Sequence, residues 1–185
     1  MTIGRTHSGK TTFAEDLKKT LKGSVVIQTD PIAEFLAQNF PKKMYKDKEY
    51  NGKFEKPTLK LSIYKTIIHH AMMINQKTLI FANSNLYKKF RKEHIDWFRE
   101  EGYKVIGVFL NYPASVLKKR VRDSGRDNSL LKTNDFEKLV DMQRKILEKP
   151  KEDEFDLFFE IKSDEELEKM KKKIIKKIVR KKVKK

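Results

Sequence analysis

The sequence predicts an α/β domain, built as a three-layer, doubly wound parallel sheet of five strands with a basic helix at its C-terminus. Segments with helical periodicity alternate with short apolar runs along the chain, which is the pattern of successive βα units. Each apolar run is continuous rather than alternating, as expected for strands that helices cover on both faces. Because crossovers between parallel strands are right-handed, few other arrangements of these units remain.

The individual elements follow from apolar spacing and from the glycines and prolines that interrupt it. A polar, lysine-rich stretch at 41–57 is predicted to be a long loop. The first strand is a stub, so either the central strand is very short or further residues precede it. Strands are predicted at 1–3, 25–27, 78–82, 105–110 and 155–161, and helices at 11–22, 32–40, 59–75, 87–101, 113–123, 136–147 and 163–185.

Length and composition fit one folded domain. The chain has 185 residues, of which 38% are hydrophobic and 37% charged, and it contains no cysteine. The lack of cysteine excludes disulfides, thiolate metal ligands and a cysteine nucleophile. It also suits a reducing cytosol, so we expect a cytoplasmic protein. No apolar run approaches the ~18–20 residues that a membrane-spanning helix needs.

The positive charge is concentrated at the C-terminus. Of a net charge of +17, residues 169–185 contribute 11 lysines and arginines and no acid. We therefore divide the chain into a domain at 1–162 and a basic helix at 163–185. An apolar stripe predicts that this helix packs on the sheet as far as about residue 175, with frayed residues beyond. Its lysines predict weak binding to polyanions, either nucleic acid or an anionic membrane.

The first loop has the spacing of a phosphate-binding loop. Residues 4–11 read GRTHSGKT and fit GxxxxGK[ST] at every fixed position. Gly4 and Gly9 allow backbone N–H groups to turn toward an anion, and the following helix adds its positive N-terminal end. Lys10 supplies a cation for the outer phosphates, and the hydroxyl of Thr11 is a ligand for Mg²⁺. The loop therefore predicts a nucleoside triphosphate as ligand.

Asp30 and a cluster of arginines are the other candidates for catalysis. Asp30 ends the second strand, beside the phosphate loop, where its carboxylate could accept the proton of a hydroxyl group. Its alternative role is to cap the next helix. Arg120, Arg122 and Arg126 lie within seven residues of a chain that has 35 lysines and 8 arginines. Because guanidinium groups bind phosphate in a bidentate way, we expect a lid at about 120–134; the alternative is a solvated helix end.

The order of these segments resembles the polynucleotide-kinase-like branch of phosphate-loop kinases, which is related to zeta toxins and gluconate kinases. The resemblance covers about residues 1–161. It is carried by GRTHSGKTTFA, the strand that ends at Asp30, the block IFANSNLYKKFRKEHIDWFREEGYKVIGVFLNYP, the pair Arg120 and Arg126, and KPKEDEFDLFFEI. In the family, the aspartate at this strand end activates the acceptor hydroxyl, which the resemblance implies for Asp30.

The third strand agrees with the family in part. Asn85 and Arg91 match an asparagine and an arginine of the family, whereas Ala82 stands where the family has an acidic residue that supports Mg²⁺. Ala33 lies near the position where the nucleic-acid kinases of this branch carry an arginine. These departures bear on metal binding and on the choice of acceptor.

The residues and the resemblance together predict an ATP-dependent phosphotransferase. It uses Mg²⁺ and transfers the γ-phosphate to a hydroxyl of a small metabolite, a nucleoside or a nucleic-acid end. Two alternatives stay open: an ATP-binding module without transfer activity, and a basic nucleic-acid-binding protein. The residues assigned to catalysis are Lys10, Asp30, Arg120 and Arg126. Those assigned to nucleotide contact are Gly4, Ser8, Gly9, Lys10, Thr11, Thr12 and Arg122, with Thr11 also the metal ligand.

Overall fold

The computed structural model of the chain describes residues 1–41, 49–50, 53–54, 59–74, 76, 78–124 and 136–180. The strands are β1 (Thr2–Gly4), β2 (Val25–Ile27), β3 (Glu49–Tyr50), β4 (Lys53–Phe54), β5 (Leu79–Phe81), β6 (Ile106–Leu110) and β7 (Leu157–Ile161). The helices are α1 (Lys10–Thr20), α2 (Asp30–Asn39), α3 (Leu59–Met73), α4 (Lys88–Glu100), α5 (Ala114–Asp123), α6 (Phe136–Ile146) and α7 (Asp164–Arg180). The predicted α/β class is confirmed.

The five parallel strands form two sheets. β1, β6 and β7 form one sheet in the order β1-β6-β7, and β2 pairs with β5. Three hydrogen bonds connect the sheets: the Gly4 N–H donates to Ser84 O at 3.0 Å, Asn85 Nδ2 donates to Thr2 O at 2.8 Å, and Thr2 Oγ1 donates to Asn83 O at 3.1 Å. β1 therefore forms a full ladder with β6 and meets the chain after β5 through these few bonds.

The predicted long loop contains a short antiparallel hairpin within its described part. β3 pairs with β4, with Glu49 opposite Phe54 and Tyr50 opposite Lys53. The two residues between the strands are Asn-Gly, the strongest short-range sequence signal for a hairpin. The stretch was predicted to be a loop because it is rich in lysine, although Asn-Gly indicates a hairpin.

Different helices cover the two faces of the sheet, which gives the three predicted layers. Neighbouring strand residues such as Val108 and Phe109 belong to opposite cores, as the alternation of side chains along a strand requires. The core on one face includes residues of α1, α5, α6 and α7, among them Phe13, Leu17, Leu117, Val140 and Ile174. The core on the other face includes residues of α3 and α4, among them Tyr64, Ile68, Met72, Ile95 and Phe98.

The C-terminal helix α7 packs on the sheet along most of its described length. Ile174 is 1% exposed, and Met170, Ile175 and Ile178 pack against the same core. The packing therefore reaches beyond residue 175, where the sequence analysis placed its limit. Residues 181–185 lie outside the described part of the chain. Neither α7 nor any other described helix is long and apolar enough to cross a membrane.

A buried ion pair attaches α4 to the segment before β7. The Arg91 side chain is fully buried, and its Nε and Nη2 donate to the two carboxylate oxygens of Glu154 at 2.8 and 3.1 Å. Its Nη1 donates to the backbone oxygens of Asn85 and Leu86 at 3.1 and 2.9 Å. The arginine that matches the family thus fixes the chain that leaves β5.

We expect Glu154→Gln to destabilise the protein at neutral pH, because the buried guanidinium of Arg91 loses its counter-charge. The expected loss is about 2–4 kcal/mol, since glutamine keeps one of the two acceptors. Urea denaturation measures it, and Glu93→Gln, an exposed glutamate in the middle of α4, is the control with an expected effect under ~0.5 kcal/mol.

The same pair predicts a pH dependence. Desolvation raises the pKa of Glu154, but hydrogen bonds from Arg91 and from the Lys151 N–H, with the charge of Arg91, bring it below its usual 4.5. Because the folded pKa is the lower one, the stabilisation is complete above pH 4.5 and is lost as the pH falls through the folded pKa. The difference between wild type and Glu154→Gln should therefore shrink in acid. An equal difference at neutral and acid pH would contradict this account.

Candidate active site

Two glycines shape the loop between β1 and α1. A β-carbon at Gly4 would lie 2.6 Å from Ser8 Oγ and 3.0 Å from Leu110 O, so the loop closes too tightly there for any side chain. Gly9 immediately precedes α1 and has a φ of +87°, in the left-handed region that favours glycine. Ser8 is fully buried in the loop, while Thr11 and Thr12 are exposed on the first turn of α1. A cradle of this form at a helix N-terminus fits a phosphate group.

Lys10 lies within the loop and is half-buried. Its Nζ donates to Arg5 O at 2.6 Å and to Ser8 Oγ at 3.4 Å. Burial lowers the pKa of Lys10 to about 8, and the negative charge of Asp30 opposes this shift. The structure therefore brings two of the predicted catalytic residues close enough for their charges to interact.

Asp30 is the first residue of α2, and its side chain is exposed. Thr29 occupies the N-cap position, and no side chain caps this helix. Asp30 therefore does not take the capping role that was its alternative in the sequence analysis. Its carboxylate lies at the carboxyl end of β2, where its negative charge acts on Lys10. A carboxylate in this place can accept a proton or bind a cation.

Asn83 follows β5 at the edge where an acidic residue was expected. Its Oδ1 accepts hydrogen bonds from the Thr29 N–H at 2.9 Å and from Thr29 Oγ1 at 3.0 Å, and its Nδ2 donates to Tyr64 OH at 3.0 Å. Ala82 is buried beside it. The amide of Asn83 thus ties the end of β2 to the chain after β5 and to α3.

The residues near the loop offer two oxygen ligands of the kind that Mg²⁺ prefers. These are the hydroxyl of Thr11 and the carboxylate of Asp30, both exposed. Within the described ranges, no three His, Cys, Asp or Glu residues cluster in a way that could hold a metal. Mg²⁺ commonly takes one or two protein ligands and completes its shell with phosphate oxygens and water, so the pair fits the ion in that mode.

Arg120 contacts the phosphate loop directly. Its Nη1 donates to His7 O at 3.2 Å, and its Nη2 donates to Asp164 Oδ1 at 2.5 Å. The guanidinium carbon lies 4.1 Å from the centre of the Tyr112 ring. Tyr112 OH also donates to Asp164 Oδ1, at 2.9 Å. Asp164 and Tyr112 together hold the guanidinium of Arg120 beside the loop.

Of the other two predicted arginines, the structure describes Arg122 but not Arg126. Arg122 Nη1 donates to Glu137 Oε1 at 2.9 Å, and the Arg122 side chain is 61% exposed, so this arginine is directed to α6. Arg126, with residues 125–134 of the predicted lid, lies outside the described residues. The assignments of Arg122 to nucleotide contact and of Arg126 to catalysis stay predictions.

Three residues around the loop escaped the sequence analysis. Arg5 is buried, and its Nη2 donates to Tyr112 O at 2.5 Å; desolvation and the charge of Arg144 lower the pKa of Arg5. The Oε1 of Gln143 accepts from the N–H of Thr6 at 2.5 Å. Asp164, which holds Arg120, is the third. Arg5 could have been suspected from the rarity of arginine in the chain, whereas Gln143 and Asp164 carry no local signal.

The parallel sheet, the glycine-shaped loop and the lysine within it define a phosphate-loop nucleotide-binding protein with the fold of the small phosphate-loop kinases. Residues 1–149 match the AAA domain family, and the chain belongs to this family. No curated protein sequence matches the chain.

Solved structures of kinases share this fold. Shikimate kinase from Bacteroides thetaiotaomicron is 16% identical, with a TM-score of 0.56 over 94% of this chain and 93% of that one. A gluconokinase from Sinorhizobium meliloti 1021 is 17% identical, with a TM-score of 0.53 over 97% and 90%. APS kinase from Mycobacterium tuberculosis, in complex with AMPPNP and APS, is 12% identical, with a TM-score of 0.56 over 97% and 95%. At these identities the likeness establishes the fold alone.

We expect Lys10→Ala to weaken the binding of ATP by about 10–100-fold, because one charge-assisted phosphate contact is worth ~1.5–3 kcal/mol. Isothermal titration calorimetry with Mg²⁺ present measures this. The matched control is Lys18→Ala, which removes an exposed lysine from the same helix and should leave the affinity unchanged.

The lowered pKa of Lys10 gives this prediction a second measurement. Wild-type affinity should fall between about pH 7 and pH 9 as Lys10, with its pKa of about 8, loses its proton, and Lys10→Ala should lack this step. If wild type and Lys10→Ala bind ATP equally, the loop is not the phosphate site.

Proposed function

We propose that the protein is an ATP-dependent phosphotransferase that moves the γ-phosphate to a hydroxyl group of a small acceptor. The observation that carries the proposal is the placement of Lys10 and Asp30. Lys10 lies in a loop shaped for phosphate, and Asp30 lies at the neighbouring strand end, within reach of its charge. A cation for the phosphates and a base for the acceptor are the two groups that this reaction most needs. The kinase fold of the structural neighbours supports the same conclusion.

The nucleotide is held by the loop. The backbone N–H groups between Gly4 and Thr12 surround the β- and γ-phosphates, and Lys10 turns its ammonium group from Arg5 O to the phosphate oxygens. Thr11 would hold Mg²⁺, which would neutralise phosphate charge, and Asp30 stays available as the base. Most other ligands of the ion come from the nucleotide and water.

Transfer follows from the position of Asp30. Its carboxylate accepts the proton of the acceptor hydroxyl while the hydroxyl oxygen attacks the γ-phosphorus. The bond from the γ-phosphorus to its bridging oxygen breaks, and ADP leaves with the electron pair. Arg120, held at the loop by Asp164, neutralises charge on the transferring group. Arg122 and Arg126 are the further candidates for this role.

A small metabolite or nucleoside fits the acceptor side of the site better than a nucleic-acid end. Ala33 lies on α2 one turn after Asp30, at a place without a basic side chain for a nucleic-acid phosphate. The surface of α2 beyond it carries Phe35, which is 53% exposed. Two of the structural neighbours are named as kinases of small molecules, shikimate and gluconate.

Two further functions are each favoured by one observation. Nucleotide binding without transfer is favoured by Ala82 and Asn83, which provide no acidic residue after β5. Weak binding of polyanions is favoured by the exposed lysines of α7. The second is compatible with phosphotransfer, since it uses a different part of the molecule.

The test of phosphotransfer begins with a screen of metabolites and nucleosides for phosphorylation from labelled ATP in a buffer that contains Mg²⁺. On the acceptor found, we expect Asp30→Asn to lower turnover by ~10²–10⁴, because asparagine keeps the shape of aspartate but cannot take the proton. Its ATP affinity should stay within a few-fold of wild type.

Glu34→Gln is the control, since it removes an exposed carboxylate one turn along the same helix. Its turnover should match wild type. Full turnover by Asp30→Asn would remove Asp30 from the role of base. ATP binding that depends on Lys10, with no acceptor phosphorylated, would instead favour the binding module.

A further inference from the structure

One side of α7 carries a dense group of positive charges, which we name the basic face. Its side chains are all exposed, and at 3.6 residues per turn they lie within roughly 140° of the helix circumference. Residues 169–185 contain no acidic residue. The basic face consists of Lys169, Lys172, Lys173, Lys176 and Lys177.

Within the described part of the chain, these charges are not neutralised by ion pairs. Among the described residues, no carboxylate lies within ion-pair distance of the basic face. Lys171, on the other side of the helix, shows the contrast: it is paired with Asp16 at 2.9 Å and with Glu168 at 2.7 Å. Lys171 thus helps to hold α7 against α1, whereas the five lysines of the basic face are available to bind an external anion.

The apolar side of α7 is already occupied. Ile174 is 1% exposed, and Leu167, Met170 and Ile178 pack on the same core. A helix that binds a membrane inserts its apolar side below the headgroups, and here that side lies against the sheet. The basic face can therefore attract a polyanion by charge but offers little to a lipid interior.

Among the described residues, the rings beside Lys173 and Lys177 are those of Phe155, Phe158 and Phe159, and none of them is exposed. Lys173 Nζ lies 5.9 Å from the Phe159 ring, but Phe159 is 9% exposed and cannot stack with a base. A cavity of about 280 Å³ beside Lys173 and Lys177 is also lined by Glu152 and Asp156, which oppose an anion there. Contact with a polyanion is thus restricted to the outer surface of the helix, where phosphate groups are reached and bases are not.

We propose that the basic face of α7 binds the phosphate backbone of duplex nucleic acid, without sequence preference, at a position separate from the phosphate loop. This deepens the proposed polyanion binding and rests on it, but it does not depend on phosphotransfer. The regular spacing of phosphates along a duplex suits five cations on one helix side, and release of counterions supplies the free energy.

The distribution of charge along α7 separates the basic face from the phosphate loop. The helix begins at Asp164, which holds Arg120 at the loop, and its first turns carry Glu165, Glu166 and Glu168. At 1.5 Å per residue, Lys173 lies about 13 Å and Lys177 about 20 Å along the axis from Asp164. Acidic residues thus lie between the basic face and the loop, so a bound duplex would tether the protein rather than enter the site.

The experiment compares two full-length variants of equal net charge. Lys169, Lys172, Lys176 and Lys177 are all changed to glutamine in the first, and Lys173 is kept because it lies over Phe159. The second changes four scattered exposed lysines to glutamine: Lys18, Lys22, Lys89 and Lys104. Fluorescence anisotropy with a labelled duplex of about 20 base pairs gives the affinity as a function of salt concentration.

We expect the first variant to lose at least about tenfold in affinity at low salt, and the scattered variant to stay within about twofold of wild type. Each phosphate contact adds ~0.9 to the slope of log affinity against log salt, so losing four lowers its magnitude by up to ~3.6. Equal losses in both variants would reduce the effect to net charge and overturn the proposal.

Two further measurements distinguish duplex binding at the basic face from duplex binding at the phosphate loop and from binding to a membrane. ATP affinity should be unchanged in both variants and in the presence of saturating duplex; competition between duplex and ATP would place the duplex at the loop and refute a separate surface. Vesicles containing anionic phospholipid should bind more weakly than duplex, and the reverse order would assign the basic face to a membrane. Failure to find a phosphate acceptor affects none of these outcomes.

Discussion

A central strand of three residues has to hold the phosphate loop in place. β1 has a full partner on one side, in β6, and on the other side it meets the chain after β5 through a few hydrogen bonds. The loop that it carries is therefore fixed from outside: Arg5 reaches Tyr112 O, Gln143 accepts from the loop backbone, and Arg120 donates to His7 O. Side-chain hydrogen bonds thus hold the loop in position, as the backbone hydrogen bonds of a longer strand would.

The sequence predicted those parts of the fold that depend on local spacing. The loop, the strands and the helix bounds follow from periodicity, from glycines and from a motif of eight residues. The partners of Arg5, Thr6 and Arg120 lie 107, 137 and 44 residues away along the chain, and no local pattern announces such contacts. The extent to which α7 packs on the sheet was underestimated for another reason: its lysines suggested fraying, although those of its second half lie mostly on the side opposite the packed isoleucines.

Two arginines that match the family by sequence show that residue spacing does not determine which partners a side chain has. Arg91 and Arg120 are the same residue type and both aligned with family arginines, yet one is wholly buried against Glu154 and the other lies at the loop. Asn83, with its amide engaged by Thr29 and Tyr64, connects two strands one residue after Ala82, the position where the family has an acid. The role of each of these side chains follows from the residues that it contacts, and the fold determines which residues those are.

The charges along α7 also matter to the helix itself. Acidic residues fill its first turn, and lysines occupy its second half, in the sense that complements the helix macrodipole. Each such charge near a helix end contributes about 0.3–1 kcal/mol at low ionic strength, and salt screens it. The order of the first turn of α7, which carries Asp164 and so positions Arg120, therefore depends in part on the salt content of its surroundings.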